Sequence, residues 1–124
     1  MDKLENIFKY QNMFDSELVE RRGLGDIPME AWIQKETLAM LSELAELIDE
    51  VNFKWWKNER PVDTGKVKDE LVDILHFFVS MCLKTGMDAD ELHQRYLDKN
   101  KENFARQHGR SEKKGYEVDE AKEA

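Results

Sequence analysis

Glu43 and Glu46 stand three residues apart in "LSELAELIDE", and Glu70 and Asp73 repeat that spacing in "KDELVDIL". On an α-helix, residues three apart share a face, so each pair presents two carboxylates side by side. Brought together across two helices, these acids repel one another unless cations join them. Hard oxygen donors in pairs suit Mg²⁺ or Mn²⁺, with waters and substrate phosphates completing the octahedron. One acidic stripe alone is an ordinary solvated face. Two acid pairs on consecutive, otherwise core-forming helices point to a site.

Complementary chemistry lies further along. In "HQRYLDKNKENFARQHG", Tyr96, Lys99, Asn100, Asn103, Arg106 and Gln107 fall within one arc of roughly 120°. Lysine and arginine hold phosphate oxygens, and amides add neutral donors and acceptors; the plainer reading is a solvated face making i,i+4 contacts. Gln11 interrupts the apolar stripe of Leu4, Ile7, Phe8, Phe14 and Leu18. Its amide either makes a core hydrogen bond or reads a ligand, since it donates and accepts at once and so matches the edge of a uracil or another nucleobase. Trp32, Phe53, Trp55 and Trp56 offer flat surfaces for stacking, although at least two of these four belong to the core.

Four helical segments must position these groups. The first covers about 2–22, ending at "GLGDIP". The second covers about 28–52, with Pro28 in its first turn. Leu47, Met40, Val51, Ile33, Leu44, Ile48 and Leu41 fill one arc of roughly 120°, expected to face the core. Glu36, Glu43, Glu50 and Glu46, with Trp32 among them, fill the neighbouring arc of roughly 80°. The third helix covers about 65–85, capped by Asp63 or Thr64 and stopped by Gly86. Its apolar surface is nearly all-round, which predicts burial in a bundle or an oligomer interface. The fourth covers about 88–108. The expected organisation is one all-α domain over 1–110 and a polar tail over 111–124.

Composition narrows the function classes. A net charge of −8 argues against a nucleic-acid polymer as partner, while a bound divalent cation still permits a nucleotide ligand. Cys82 is the single cysteine, so no internal disulfide forms and a reducing cytoplasmic setting is expected. No signal-peptide core is present, and no apolar run approaches the roughly 18 residues that span a bilayer.

These motifs resemble the all-α nucleoside triphosphate pyrophosphatases, which carry E-x-x-E on one helix and E-x-x-D on the next. Here these are "ELAE" (Glu43, Glu46) and "ELVD" (Glu70, Asp73). The resemblance is closest to the dimeric dUTPase branch and runs from Gln11 to about Tyr116. "YQNMFD" looks like the uracil-reading segment, with Gln11 in the matching place; "FKWWK" resembles the segment bearing a base-stacking tryptophan, placed at Trp56. "ELVDILHF" sets His76 and Phe77 at the nucleoside. "KNKENFARQHG", with Gly115 and Tyr116, resembles the phosphate-binding motif through Lys99, Asn103, Arg106 and Gln107, and Lys57 joins that set. Asp15 departs from the asparagine of some relatives. The third helix runs on directly through "VSMCLKTGMDADEL", where longer relatives insert helical material that a second subunit would replace here.

The resemblance implies a four-helix, bundle-like fold completed by oligomerisation into a homodimer or homotetramer. It also implies Mg²⁺-dependent hydrolysis of dUTP, and of dUDP as a second substrate, with Mn²⁺ as a substitute. Glu43, Glu46, Glu70 and Asp73 would be the metal ligands and Glu46 the catalytic base. A pyrophosphatase of other base preference, such as a dCTPase or MazG-like enzyme, is the nearest rival. A di-iron bundle prompted by Asp73 and His76 lacks the two E-x-x-H motifs it normally needs. A non-catalytic helical interaction module is the third alternative.

Overall fold

The computed structural model describes residues 1–118; the end of the expected tail, 119–124, lies outside the described residues. The chain is all-α, with α1 over Lys3–Arg22, α2 over Met29–Asp49, α3 over Thr64–Lys84 and α4 over Ala89–Gln107. Two compact units divide it, Met1–Asp88 and the residues from Ala89 onward.

Local chemistry sets the helix ends. Asp2 caps α1 by accepting from the Glu5 amide at 2.8 Å, and Gly23, at φ 63°, closes it in the left-handed conformation that glycine adopts without a Cβ penalty. Asp63 caps α3, accepting from the amides of Gly65 and Lys66. Pro28 is itself the N-cap of α2, in extended conformation and one residue outside the helix, so it does not occupy the first turn as its sequence position suggests.

The second helix also stops earlier than its apolar pattern predicts. It ends at Asp49, and Asn52 takes a left-handed φ of 58°. The Asn52 side chain explains the early stop. Its Nδ2 donates to the Arg60 carbonyl at 2.8 Å, and its Oδ1 accepts from the Arg60 amide at 3.0 Å. This two-point clip closes the "FKWWKNE" segment into a loop, in a backbone conformation asparagine tolerates better than most residues.

In the first unit α3 packs against both α1 and α2. Phe8, Val79 and Cys82 are its buried apolar side chains, joined by the polar Gln11, Glu36 and Ser80. The side of α2 that turns inward lies where its two arcs meet: Glu36 is buried, and Glu43 is half-buried beside Ile33, Met40 and Leu47. Glu36 is only 8% exposed, whereas Leu38 and Leu41 are 67% and 55% exposed, and Leu44, Ile48 and Val51 are exposed as well. This corrects the expected orientation in part: Ile33, Met40 and Leu47 of the arc expected to form the core are half-buried, and its Leu41, Leu44, Ile48 and Val51 are not covered within the chain. Helix α3 likewise leaves Leu71, Val72, Leu75 and Phe78 exposed, so its all-round apolar surface is not covered within the chain. A soluble helix ordinarily does the reverse.

The second unit consists of α4 and the residues that follow. The described part of the expected tail is tied to α4. Ser111 is buried and donates to Glu102 at 2.5 Å, Arg106 pairs with Glu102 at 3.0 Å, and the Arg106 guanidinium lies 5.4 Å from the centre of the Tyr116 ring.

The clip makes the loop after α2 a test of local stability. Asn52→Ala loses both hydrogen bonds and strains a left-handed backbone, so it should lower stability by about 1–3 kcal/mol. Asn52→Gly keeps the backbone relaxed and should cost less. Urea denaturation of both variants checks this, and equal losses would locate the cost in the hydrogen bonds alone.

Candidate functional site

The seam between α2 and α3 carries a run of polar side chains with aromatics among them. On α3, Glu70, Asp73, Phe77, Ser80 and Lys84 follow one another at three- and four-residue steps and share a face. On α2, Trp32, Glu36, Glu43 and Glu46 form the corresponding stripe.

One part of the seam is the acid cluster. Ligand-capable oxygens of Glu43, Glu46 and Glu70 all lie within 4.8 Å of one another. Oε2 of Glu43 and Oε2 of Glu70 are buried without a hydrogen-bond partner. Asp73 stands outside that trio, though its charge bears on Glu43 and it lines the same cavity. Burial, the charge of Glu46 and the neighbouring carboxyls push Glu70 up to about 7, and burial followed by the charge of Glu46 raises Glu43 as well. Crowded carboxylates with orphaned oxygens fit a hard divalent cation, whose charge removes both the repulsion and the desolvation cost.

Beyond the acids lies a second polar group. Ser80 Oγ sits 2.7 Å from Asp15 Oδ2 and 2.5 Å from Glu36 Oε1. Lys84 Nζ donates to Ser80 Oγ at 2.8 Å and to Glu36 Oε1 at 3.2 Å, lies 3.7 Å from Asp15 Oδ2, and stands 4.2 Å over the Trp32 ring. Gln11 Nε2 donates to Asp15 Oδ1 at 3.0 Å. Gln11 thus makes the interior hydrogen bond that one reading of its sequence position foresaw, and still faces a cavity.

That cavity, about 300 Å³, is bounded by α1, α2 and α3. Gln11, Phe14, Asp15, Glu36, Ser80 and Phe77 line it together with His76, Glu43 and Asp73. Its volume is at the lower end for small-molecule pockets. Through Glu43 and Asp73 the cavity that holds groups suited to a base adjoins the acid cluster, whose Glu46 and Glu70 are not among its lining residues. Trp56 and Lys57 are not among its lining residues. Trp56 is 59% exposed and packs edge-on against Trp55 and Phe53. With Lys57, Asn52, Lys54 and Arg60 it lines a separate pocket after α2.

In the second unit, Lys99, Asn103 and Gln107 are exposed on α4, while Arg106 is partly engaged by Glu102 and Tyr116. The hydrogen bond from Ser111, followed by that from Arg106, holds the Glu102 carboxyl below the usual carboxylate range. Sequence reading overlooked Ser80, Lys84, Glu102 and Ser111. The visible signal for the first two was a polar residue at each turn of an otherwise apolar helix.

Residues 3–89 match the family described as dUTPase. The chain is similar to the dCTP pyrophosphatase of Enterobacteria phage LZ5, 36% identical over 74 residues that cover 60% of this chain and 43% of that protein. It is also similar to the dCTP pyrophosphatase of Enterobacteria phage T4, 36% identical over 87 residues, with coverages of 59% and 51%. The chain spans about half the length of these curated relatives. No solved structure matches.

The raised acids make stability depend on pH in a stated direction. Glu70 moves from an ordinary 4.5 to about 7 on folding, so its stabilising contribution is complete below pH 4.5 and is lost as pH rises through about 7. In chelator, the melting temperature should fall across that window. Millimolar Mg²⁺ or Mn²⁺ should raise it, and more at pH 7.5 than at pH 5. A melting curve indifferent to both metals at every pH would remove the cation from the cluster.

Proposed function

This chain belongs to the dUTPase family, and we propose that it hydrolyses a pyrimidine deoxynucleoside triphosphate to the monophosphate and pyrophosphate, as a step in nucleotide metabolism. The family description supports dUTP, and the names of the phage relatives support dCTP; dUDP is proposed as a further substrate of the first reading. The observation that carries the reading is that Glu43 belongs both to the crowded carboxylate trio and, with Asp73, to the wall of a base-sized, partly aromatic cavity.

Glu43, Glu46, Glu70 and Asp73 would hold Mg²⁺ or Mn²⁺, which when bound supplies charge neutralisation to the triphosphate and acidity to a coordinated water. The remaining work belongs to side chains. Glu46, the most exposed of the three clustered glutamates, is assigned as the base that accepts the proton of the attacking water. Gln11, His76 and Phe77 hold the base and sugar. Trp56 is proposed as an additional stacking surface. Lys57, Lys99, Asn103, Arg106 and Gln107 are assigned to phosphate oxygens on their chemistry.

The exposed leucine arc of α2 and the exposed apolar side chains of α3 support assembly into a homodimer or homotetramer. Light scattering on the eluted protein should give a mass of two or four chains, and Leu41→Glu should reduce it. A monodisperse monomer would overturn the assembly.

Chromatography of products from dUTP, dCTP, dTTP and UTP, each with Mg²⁺, tests the activity. Conversion of a pyrimidine deoxynucleotide to its monophosphate is expected, and Glu46→Gln should lower it by about 10²-fold or more while the helical circular dichroism persists. No turnover with either metal would leave the helical interaction module as the better reading.

A further inference from the structure

The polar group beside the acid cluster is short of hydrogen-bond donors, and the shortage falls on one atom. Lys84 has three N–H groups, and Ser80 Oγ, Glu36 Oε1 and Asp15 Oδ2 surround its nitrogen. Ser80 has one hydroxyl hydrogen and two carboxylates competing for it. The Gln11 amide is turned so that its nitrogen donates to Asp15. Nothing remains for Oε2 of Glu36, which is buried without a partner on a residue only 8% exposed that lines the cavity. Carboxylates outnumber ammonium groups two to one around Ser80. The wall offered to a ligand is thus built of acceptors: the Glu36 carboxylate, the Asp15 carboxylate and the free carbonyl oxygen of Gln11.

We propose that Glu36 is the specificity-determining residue of this cavity and that it reads the exocyclic amino group of a cytosine base. The inference rests on the nucleotide reading above and deepens it by naming the base. Cytosine and uracil differ at position 4, where the first carries an N–H₂ donor and the second a carbonyl acceptor. Against an acceptor wall the amino group supplies the missing donor, while a uracil carbonyl leaves two acceptors facing each other in a buried site. Asp15, Ser80 and Lys84 act as positioning residues. They fix the carboxylate rotamer and the orientation of the Gln11 amide. An asparagine at position 15 would have one side-chain oxygen and could not accept from Gln11 on one oxygen and Ser80 on another, as Asp15 does.

The network also orients the obvious substitution. In Glu36→Gln the Ser80 and Lys84 donors would hold the amide oxygen at the Oε1 position, turning the amide nitrogen to where Oε2 now lies. One acceptor becomes one donor, with almost no change in shape.

The test is equilibrium binding of dCMP and dUMP to the full chain by calorimetry, alongside turnover of dCTP and dUTP with Mg²⁺. The wild type should favour the cytosine nucleotide by about 10²-fold or more. Glu36→Gln should lower that ratio at least tenfold, with dUMP binding gaining in absolute terms. The wild type should also bind N4,N4-dimethyl-dCMP, which has no N–H at that position, at least tenfold more weakly than dCMP, a comparison independent of whether the variant folds. Equal or uracil-favouring binding by the wild type overturns the proposal, as does a variant that weakens both nucleotides alike. Cytosine-selective binding without turnover of either triphosphate would support it while overturning the hydrolytic reading.

Discussion

Mutual repulsion among carboxylates is the constraint around which the first unit is organised. Glu43, Glu46 and Glu70 converge between α2 and α3, where apolar side chains would ordinarily meet, and burial has already raised two of them above their usual range. An arrangement of this kind is unfavourable by itself. Elsewhere along the seam the charge is compensated within the chain, with Lys84 paired to Glu36 and Asp15 and Ser80 bridging those two carboxylates; the cluster itself has no such partner in its surroundings and would be relieved by a cation. The interior of this unit therefore holds few fully buried apolar side chains, Phe8, Val79 and Cys82 among the described residues, beside the buried polar Gln11, Glu36 and Ser80.

Several features of this arrangement were legible in the sequence. The three-residue spacing of the acids sufficed to place each pair on one helical face, and Asp63 marked the start of α3 by side-chain chemistry alone. The orientation of α2 was not legible. Its leucine arc and its acidic arc adjoin, and periodicity yields the direction of each around the axis without saying which turns inward. The usual rule assumes that water lies opposite the apolar face, and it fails when the polar face meets another polar helix. Trp56 illustrates a different limit. It follows the expected end of the second helix, where the Asn52 side chain holds the Arg60 backbone and closes the segment into a loop, through two hydrogen bonds that hydrophobic patterning does not reveal.

Lys84 and Ser80 were missed for a related reason. In "FFVSMCLK" each is a single polar residue among apolar ones, and neither type is diagnostic alone. Their meaning depends on partners 44 to 69 positions away in sequence, Asp15 on α1 and Glu36 on α2. Asp15 marked the place from the other side, as an acid where an amide was expected.

Helix α2 carries the clustered acids on one arc and the exposed Leu41, Leu44 and Ile48 further round its circumference, at the far part of the adjoining arc. An α-helix is about 10–12 Å across, so turning it by about 20° swings its side-chain tips by roughly 2 Å. That distance separates a carboxylate that reaches a cation from one that falls short. Whatever seats the outer leucines therefore also sets the angle at which Glu43 and Glu46 enter the seam. If a cation fills the acid cluster and a partner covers the outer leucines as proposed, the two events would be linked, each strengthening the other by the same factor.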